Sequence, residues 1–298
     1  MKKHFLAAAA AIAATAAFAG SAAALTSSPI YDAVPATLPP NVASLGFEAT
    51  STTEFGDNVV FGGTNRILDG VVVTMSDWAL HSDYPSLSAS GWMHPITLNI
   101  YAADHTGATP TTGALLGTVT QTFTIPWRPV ADPTCANGTA WRASNGSCYN
   151  GLAFNITFDF SSVHIVLPNE IVFGVAYNTQ HYGMTPLGGP GPYNSLNVGV
   201  PSNDPVTVGS DASTDAVFWN TSYAGFYTDG GLGGVGTFRQ DTDWTPNGTV
   251  AARFLATPPL VGPPASKDAC KNGGWEQFNN PSFATQGECV SYVTHHEG

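Results

Sequence analysis

Charged residues, and lysine above all, are scarce in this 298-residue chain. Only 10% of the residues are Asp, Glu, Lys or Arg, and residues 25–266 contain five arginines and no lysine. Proteins that bind nucleic acids neutralise phosphates with clustered Lys and Arg side chains. The formal net charge is −12, so composition and charge both argue against a nucleic-acid partner.

Recognisable catalytic motifs are also missing. The chain has no Gly-x-Ser-x-Gly elbow, no His-Glu-x-x-His motif, no phosphate-binding loop and no dinucleotide-binding glycine pattern followed by a helix. Histidines occur in the central part of the chain, but none falls in a pattern that defines a catalytic triad. We interpret them as structural residues and assign no catalytic residue.

The mature chain lacks a hydrophobic run that could span a membrane. The N-terminus carries Lys2 and Lys3, then an uncharged apolar run over residues 5–18 and the small residues Ala22-Ala23-Ala24. This is the pattern of a secretory signal peptide. The alternative, a membrane anchor, needs about 20 apolar residues. We expect a signal peptide over residues 1–24 and a secreted, extracellular bacterial protein. Without the signal peptide, the chain has seven basic and 21 acidic residues, which gives a net charge near −14.

Glycine and proline, in contrast, are abundant, with 32 and 22 residues. This composition favours short strands joined by tight turns. Polar and apolar residues alternate over residues 71–75, 96–101, 119–125 and 152–160, as a half-buried strand requires. No helical period of three turns follows the signal peptide, and no internal repeat indicates a propeller. The sequence predicts an all-β, antiparallel, jelly-roll-like β-sandwich.

Composition shifts divide the chain further. Residues 25–45 form an extended lead-in, residues 46–257 the β-sandwich domain, and residues 258–265 a proline-rich linker. Residues 266–298 form a small cysteine-containing C-terminal tail. Long glycine-rich connections over residues 180–215 and 225–244 interrupt the sandwich and are functional or mobile.

Four cysteines are present, an even number that indicates disulfide bonds in an oxidising compartment. Four cysteines allow three pairings. The partners within each local pair are close in sequence, which favours Cys135–Cys148 and Cys270–Cys289. A zinc site is the alternative, but the close Cys-x₂₋₄-Cys spacing that it usually uses is absent.

Two segments resemble parts of exported bacterial proteins. The tail is similar to a C-terminal module of many secreted bacterial proteins, which has no assigned activity. The residues that carry this resemblance are Cys270-Lys271-Asn272-Gly273-Gly274-Trp275, Phe278, Phe283, Gln286-Gly287 and Cys289-Val290-Ser291-Tyr292.

The second segment resembles the opening of an exported β-sandwich domain of bacterial surface and secreted proteins. It comprises Glu54-Phe55-Gly56-Asp57, Phe61-Gly62-Gly63-Thr64, Arg66 and Val71-Val72-Val73-Thr74-Met75-Ser76-Asp77-Trp78. That family has no established catalytic residues. The resemblance therefore implies a location and a fold, and it assigns no site.

Acidic residues are concentrated in the glycine-rich connections. Calcium takes six to eight oxygen ligands, and Asp241 and Asp243 could supply two carboxylates from one loop. The EF-hand spacing is absent. A structural calcium is therefore one hypothesis, and solvated carboxylates that cap turns are the alternative.

Aromatic residues lie near many predicted loops and strand ends. They include Trp78, Trp92, Trp127, Trp141, Trp219, Trp244, Tyr182, Tyr193, Tyr223 and Tyr227. An exposed ring can pack on the C–H face of a sugar, while ordinary core packing is the alternative. We select Tyr182, Tyr193 and Trp219 as candidate ligand-binding residues.

Taken together, these features favour a secreted, non-catalytic binding or surface-associated protein. Its candidate partner is an extracellular glycan or another cell-surface component. One alternative is a secreted polysaccharide hydrolase that uses loop carboxylates. Another is a structural component of an extracellular matrix.

Overall fold

The computed structural model describes residues 26–201 and 206–296. The chain divides into two compact units, one of residues Thr26–Pro259 and one that begins at Leu260. The predicted signal peptide, residues 1–24, lies outside the described residues. Among those that are described, no helix combines the length and the apolar character needed to cross a membrane.

The first unit is built from strands that pair only in antiparallel fashion. The first sheet contains β1 (Ser28–Asp32), β2 (Ser44–Gly46), β4 (Ile67–Asp77), β9 (Leu152–Asp159), β11 (Leu196–Gly199) and β15 (Ala252–Thr257). The second sheet contains β3 (Thr52–Val60), β5 (Trp92–Asp104), β6 (Thr111–Ile125), β10 (Glu170–Ala176), β12 (Ser210–Asp211), β13 (Ala216–Thr221) and β14 (Arg239–Thr242). A short ribbon pairs β7 (Trp141–Arg142) with β8 (Cys148–Tyr149).

Each sheet is organised around a long strand. In the first sheet, the 11-residue β4 pairs with β9 along one edge and with β15 and then β11 along the other. The second sheet runs in the order β14-β13-β3-β10-β5-β6, and β12 also pairs with β3. Strands β2 and β14 therefore lie at the ends of their sheets.

The two sheets pack face to face through aromatic side chains. Phe254 of the first sheet packs on Phe173 of the second, with ring centroids 5.3 Å apart. Phe158 and Phe123 make a similar contact at 5.0 Å. Interdigitated inner faces of this kind define a β-sandwich. The predicted all-β, antiparallel sandwich is confirmed.

Several strands lie where the sequence predicts loops. Residues 25–45, the predicted lead-in, contribute β1 and β2, and the side chains of Ile30 and Tyr31 are buried in the core. The glycine-rich connections contain β11, β12 and β14. These strands are at most five residues long, so they show too little alternation to be recognised locally. Pairing with distant strands stabilises them, as in the β1–β15 pair.

Both disulfide bonds favoured by the sequence are present. Cys135–Cys148 closes the excursion between β6 and β9, which also contains the β7–β8 ribbon. Within this excursion the indole Nε1 of Trp141 donates to the carbonyl of Gly151 at 2.7 Å. Cys270–Cys289 closes the second unit.

The second unit has a small core of its own. Cys270, Cys289 and Val293 are buried, and apolar side chains such as Trp275 and Phe283 pack against them. This unit also contains helix α1 (Gln286–His296), which the sequence does not predict. Only two residues of α1, four positions apart, are buried, so its apolar face is too short to show a helical period.

Candidate functional site

One open cleft of about 700 Å³ collects aromatic and polar side chains from both sheets. Its walls come from β2 and β11 of the first sheet, from β13 and β14 of the second, and from adjoining loops, including the turn after β4 and the segment before β11. The aromatic lining residues are Trp78, Trp219, Phe226 and Trp244, and the polar ones include Asn194, Asn197, Asn247, Thr228, Asp241 and Asp243.

Trp78 enters the cleft directly after the end of β4. Its indole Nε1 donates to the Oγ of Ser76 at 3.1 Å, and Ser76 Oγ in turn donates to Asn41 Oδ1 at 2.7 Å. A Cβ at Gly151 would lie 2.4 Å from this indole nitrogen, so only glycine leaves room for the ring. The side chain is thus fixed while 43% of its surface stays exposed.

Trp219 forms the inner wall of the cleft. Only 3% of it is exposed, and its Nε1 donates to Thr52 Oγ1 at 2.7 Å. The ring meets Trp244 edge to face at 5.2 Å and lies 6.2 Å from Phe226. Trp219 therefore supports the more exposed rings of Trp244 and Phe226.

Asp241 lies buried at the end of β14, with 2% of its surface exposed. Its Oδ1 accepts hydrogen bonds from the backbone N–H and the hydroxyl of Thr228, at 3.1 and 2.9 Å. Its Oδ2 accepts from the Nε1 of Trp244 at 2.8 Å. Because both carboxylate oxygens are occupied, Asp241 acts as an internal anchor for Trp244.

Asp243 differs from Asp241 although it is only two residues away. Its side chain is exposed in the cleft, and its backbone φ of 62° falls in the left-handed region. Asp and Asn adopt this region more readily than most residues. The turn directs the chain from β14 into Trp244 and presents a carboxylate to solvent.

The predicted calcium ligands thus share one cleft but not one ligand sphere. The oxygens of Asp241 already accept hydrogen bonds from Thr228 and Trp244. Within residues 26–201 and 206–296, no three His, Cys, Asp or Glu side chains are grouped to hold a metal ion. The carboxylate of Asp241 instead stabilises the loops that carry Thr228 and Trp244.

Of the three aromatic residues that the sequence selects, only Trp219 lines the cleft. Tyr193 is half-buried and stacks on His94, with ring centroids 5.6 Å apart. Tyr182 is half-buried beside His181. The more exposed rings of the cleft belong to Trp78, Phe226 and Trp244. Trp78 and Trp244 are among the aromatic residues recognised near strand ends, but Phe226 carries no signal in the sequence.

The polar lining groups are positioned by hydrogen bonds of their own. The side-chain amide of Asn197 donates to Ser44 Oγ at 3.1 Å, and that of Asn247 donates to the carbonyl of Val200 at 2.6 Å. Asn194 Oδ1 accepts from the backbone N–H of Gln180 at 3.0 Å. These bonds fix the side chains along the walls of the cleft before any ligand arrives.

The acids with raised pKa values do not line this cleft. Burial raises the pKa of Asp77 to about 8, although its carboxylate accepts hydrogen bonds from Ala79 N and Trp92 Nε1. Burial raises the pKa of Asp57 well above its usual value, and the nearby charge of Asp211 raises it further. Asp57 accepts hydrogen bonds from Val250 N at 3.1 Å and Asn58 N at 2.7 Å. Since it joins β3 to the segment that leads into β15, we interpret it as structural.

Comparisons with known proteins add no assignment. No protein-family model matches the chain, and no curated protein or solved structure matches it. The chemistry of the cleft is therefore the basis for a functional proposal.

Proposed function

We propose that the cleft binds a glycan and that the protein is a non-catalytic binding protein. One observation carries the proposal: the partly exposed rings of Trp78, Phe226 and Trp244 line one open cleft together with amide and hydroxyl groups. The cleft volume of about 700 Å³ falls within the range typical of ligand sites.

The chemistry of a sugar matches this lining. A pyranose ring has apolar C–H faces, which pack on aromatic rings, and hydroxyl groups at its edges, which need hydrogen-bond partners. Asn197 and Asn247 are held along the walls and can meet such hydroxyls. Because Ser76 fixes Trp78 and Asp241 fixes Trp244, little side-chain freedom is lost on binding.

The state of Asp241 supports binding rather than hydrolysis. Glycoside hydrolysis uses two carboxyl groups, one that transfers a proton and one that acts as nucleophile or base. Of the two carboxylates in the cleft, Asp241 is buried and engaged by Thr228 and Trp244. Only Asp243 is free to meet a ligand, which leaves the pair incomplete.

Export of the protein to the extracellular space belongs to the same proposal. The signal-peptide pattern of residues 1–24 and the resemblance to exported bacterial proteins support it. The two disulfide bonds also support it, because such bonds persist in oxidising compartments. An extracellular glycan is the partner that this location would offer.

Retention on insoluble polysaccharides tests the proposal. Purified protein is incubated with cellulose, chitin, chitosan and xylan, and both the bound fraction and released reducing sugar are measured. We expect retention on at least one polymer without sugar release. Trp78→Ala should abolish retention, whereas Tyr182→Ala, a half-buried aromatic residue outside the cleft, should not. If sugar is released and Asp243→Asn abolishes the release, the protein is a hydrolase instead. If Trp78→Ala leaves retention unchanged, the binding site lies outside the cleft.

A further inference from the structure

The charged side chains that line the cleft are acidic. Among the residues that the structure describes, its lining contains the carboxylates of Asp241 and Asp243 and no Lys, Arg or His side chain. The unit that contains it, residues 26–259, has 17 acidic and five basic residues. A ligand that enters the cleft therefore meets a negative potential.

The basic residue of the neighbouring strand β14 does not offset this potential. The guanidinium of Arg239 forms an ion pair with Asp229 Oδ1 at 2.8 Å. Its central carbon also lies 3.9 Å from the centroid of the Tyr227 ring. Arg239 is thus committed to its own loop and leaves the charge of Asp243 uncompensated.

The exposed rings add a second preference for positive charge. The faces of Trp and Phe rings attract cations. Trp244 directly follows Asp243 in the chain, and both side chains line the cleft with Trp78. A carboxylate and aromatic faces in one cleft suit an ammonium group carried on an otherwise polar, uncharged framework.

We infer that the cleft selects glycans that carry protonated amino groups, such as polymers of glucosamine. This inference rests on the proposed glycan-binding function and names the ligand class of the same cleft. Ammonium groups of the glycan contact the Asp243 carboxylate and the adjoining ring faces, while the sugar rings pack on the aromatic side chains. Uronic acids and sulfated sugars are excluded, because their anions would face carboxylates with no basic partner.

Three soluble hexamers separate charge from ring stacking: hexamers of glucosamine, of N-acetylglucosamine and of galacturonic acid. Glucosamine and N-acetylglucosamine share one backbone, and the acetyl group of the latter removes the charge of the amino group. Dissociation constants are measured by calorimetry at low ionic strength and at a mildly acidic pH. We expect the glucosamine hexamer to bind roughly five- to tenfold more tightly than the N-acetylated one, as one cation–π contact and one surface ion pair allow. The galacturonic acid hexamer should not bind, and added salt should reduce the preference.

Two variants assign the preference to one residue. Asp243→Asn should remove the preference for the glucosamine hexamer and leave the affinity for the N-acetylglucosamine hexamer unchanged. Asp83→Asn makes the same change of charge at an exposed position outside the cleft and should preserve the preference. Equal binding of the glucosamine and N-acetylglucosamine hexamers by the unaltered protein would overturn the inference. A preference that survives Asp243→Asn would also overturn it.

The outcome for glycan binding itself is read separately. If the glucosamine and N-acetylglucosamine hexamers bind equally and Trp78→Ala weakens the binding of both, the cleft binds glycans but does not select amino groups. If no hexamer binds and the protein is not retained on any polysaccharide, the proposed function fails together with the inference. Tightest binding of the galacturonic acid hexamer would also reject the inference.

Discussion

The carboxylate of Asp241 accepts a 2.8 Å hydrogen bond from the indole Nε1 of Trp244, three residues further along the chain. The same carboxylate accepts two hydrogen bonds from Thr228. Asp241 therefore joins the end of β14 to the two loops that carry these residues. This buried anchor fixes one aromatic wall of the cleft, whereas the adjacent Asp243 is free to meet a ligand.

Replacing Asp241 by alanine should destabilise the protein. The substitution leaves the partly buried donors of Thr228 and Trp244 without their acceptor, which costs about 1–3 kcal/mol of the free energy of unfolding. Urea denaturation, followed by tryptophan fluorescence, measures this loss. Asp243→Asn is the control, because this side chain is exposed and Asn tolerates the left-handed backbone as Asp does, so the loss should stay below about 0.5 kcal/mol. Equal losses for the two variants would contradict the anchoring role of Asp241.

Stability should fall as the pH rises from 6.5 to 8. Burial raises the pKa of Asp77 to about 8, so native Asp77 holds a proton that the unfolded chain releases near pH 4. The native state therefore binds more protons over this interval, and the free energy of unfolding decreases with pH. A loss of about 1 kcal/mol per pH unit is expected from such a group. Denaturation at a series of pH values measures it.

The chosen interval separates Asp77 from His94. Burial lowers the pKa of His94 to about 4, so its protonation in the unfolded chain opposes the carboxyl effect mainly below pH 6.5. Asp77→Asn mimics the protonated carboxyl group and should reduce the slope between pH 6.5 and 8, while the raised pKa of Asp57 maintains the remainder. A slope that is unchanged in this variant would show that Asp77 does not cause it.

Reduction of the disulfide bonds should affect the two units differently. The core of the second unit consists of Cys270, Cys289 and Val293, so loss of its bond removes about 3 kcal/mol from a unit with few other contacts. The sandwich core, in contrast, contains no cysteine among its buried residues. We expect a protease to digest the tail of the reduced protein while residues 26–259 survive, as mass spectrometry can show. The double variant Cys135→Ser/Cys148→Ser should keep a protease-resistant tail, and early cleavage within the sandwich strands would contradict this account.

Gly56 lies at the most crowded backbone position of the β3–β10 pair. A Cβ at this position would approach the carbonyl oxygen of Phe173 to 1.7 Å, so Gly56→Ala must displace the central strands. We expect a loss of about 3 kcal/mol or more in thermal or urea unfolding. Gly107→Ala is the control, because its Cβ would meet only an ordinary 3.6 Å contact with Thr109 O. A similar stability for both variants would argue against the observed pairing of β3 with β10.

The sequence predicts the sandwich because alternation is a local property of long strands. In β9, for example, Ile156 and Phe158 are buried while Asn155 and Thr157 are exposed, as the alternation requires. The short strands β1, β2 and β11 are not predicted from the sequence, because pairing with strands that are distant in the chain stabilises them. Helix α1 is not predicted from the sequence either, because only a disulfide-bonded cysteine and one valine form its buried face.

The site is less predictable, because it depends on how the two sheets stack. Trp219 alternates with Phe218 and shares its face with Val217, so β13 directs it into the core together with Val217. The continuous apolar run over residues 216–219 is typical of a strand buried on both faces, and it could have excluded Trp219 as an exposed ligand-binding residue. Trp78 and Trp244, however, follow strands of different sheets, and nothing local indicates that they line one cleft.

The most direct test of the cleft as the binding site is a titration followed through the indole N–H signals of ¹⁵N-labelled protein. The chain has seven tryptophans, and single Trp→Phe variants assign their signals. Hexamers of glucose, N-acetylglucosamine and glucosamine are added in separate experiments. We predict that at least one hexamer shifts the signals of Trp78 and Trp244, while those of Trp141 and Trp275 stay in place. Shifts confined to Trp92 and Trp127, or no shift with any hexamer, would contradict the assignment of the cleft as a glycan site.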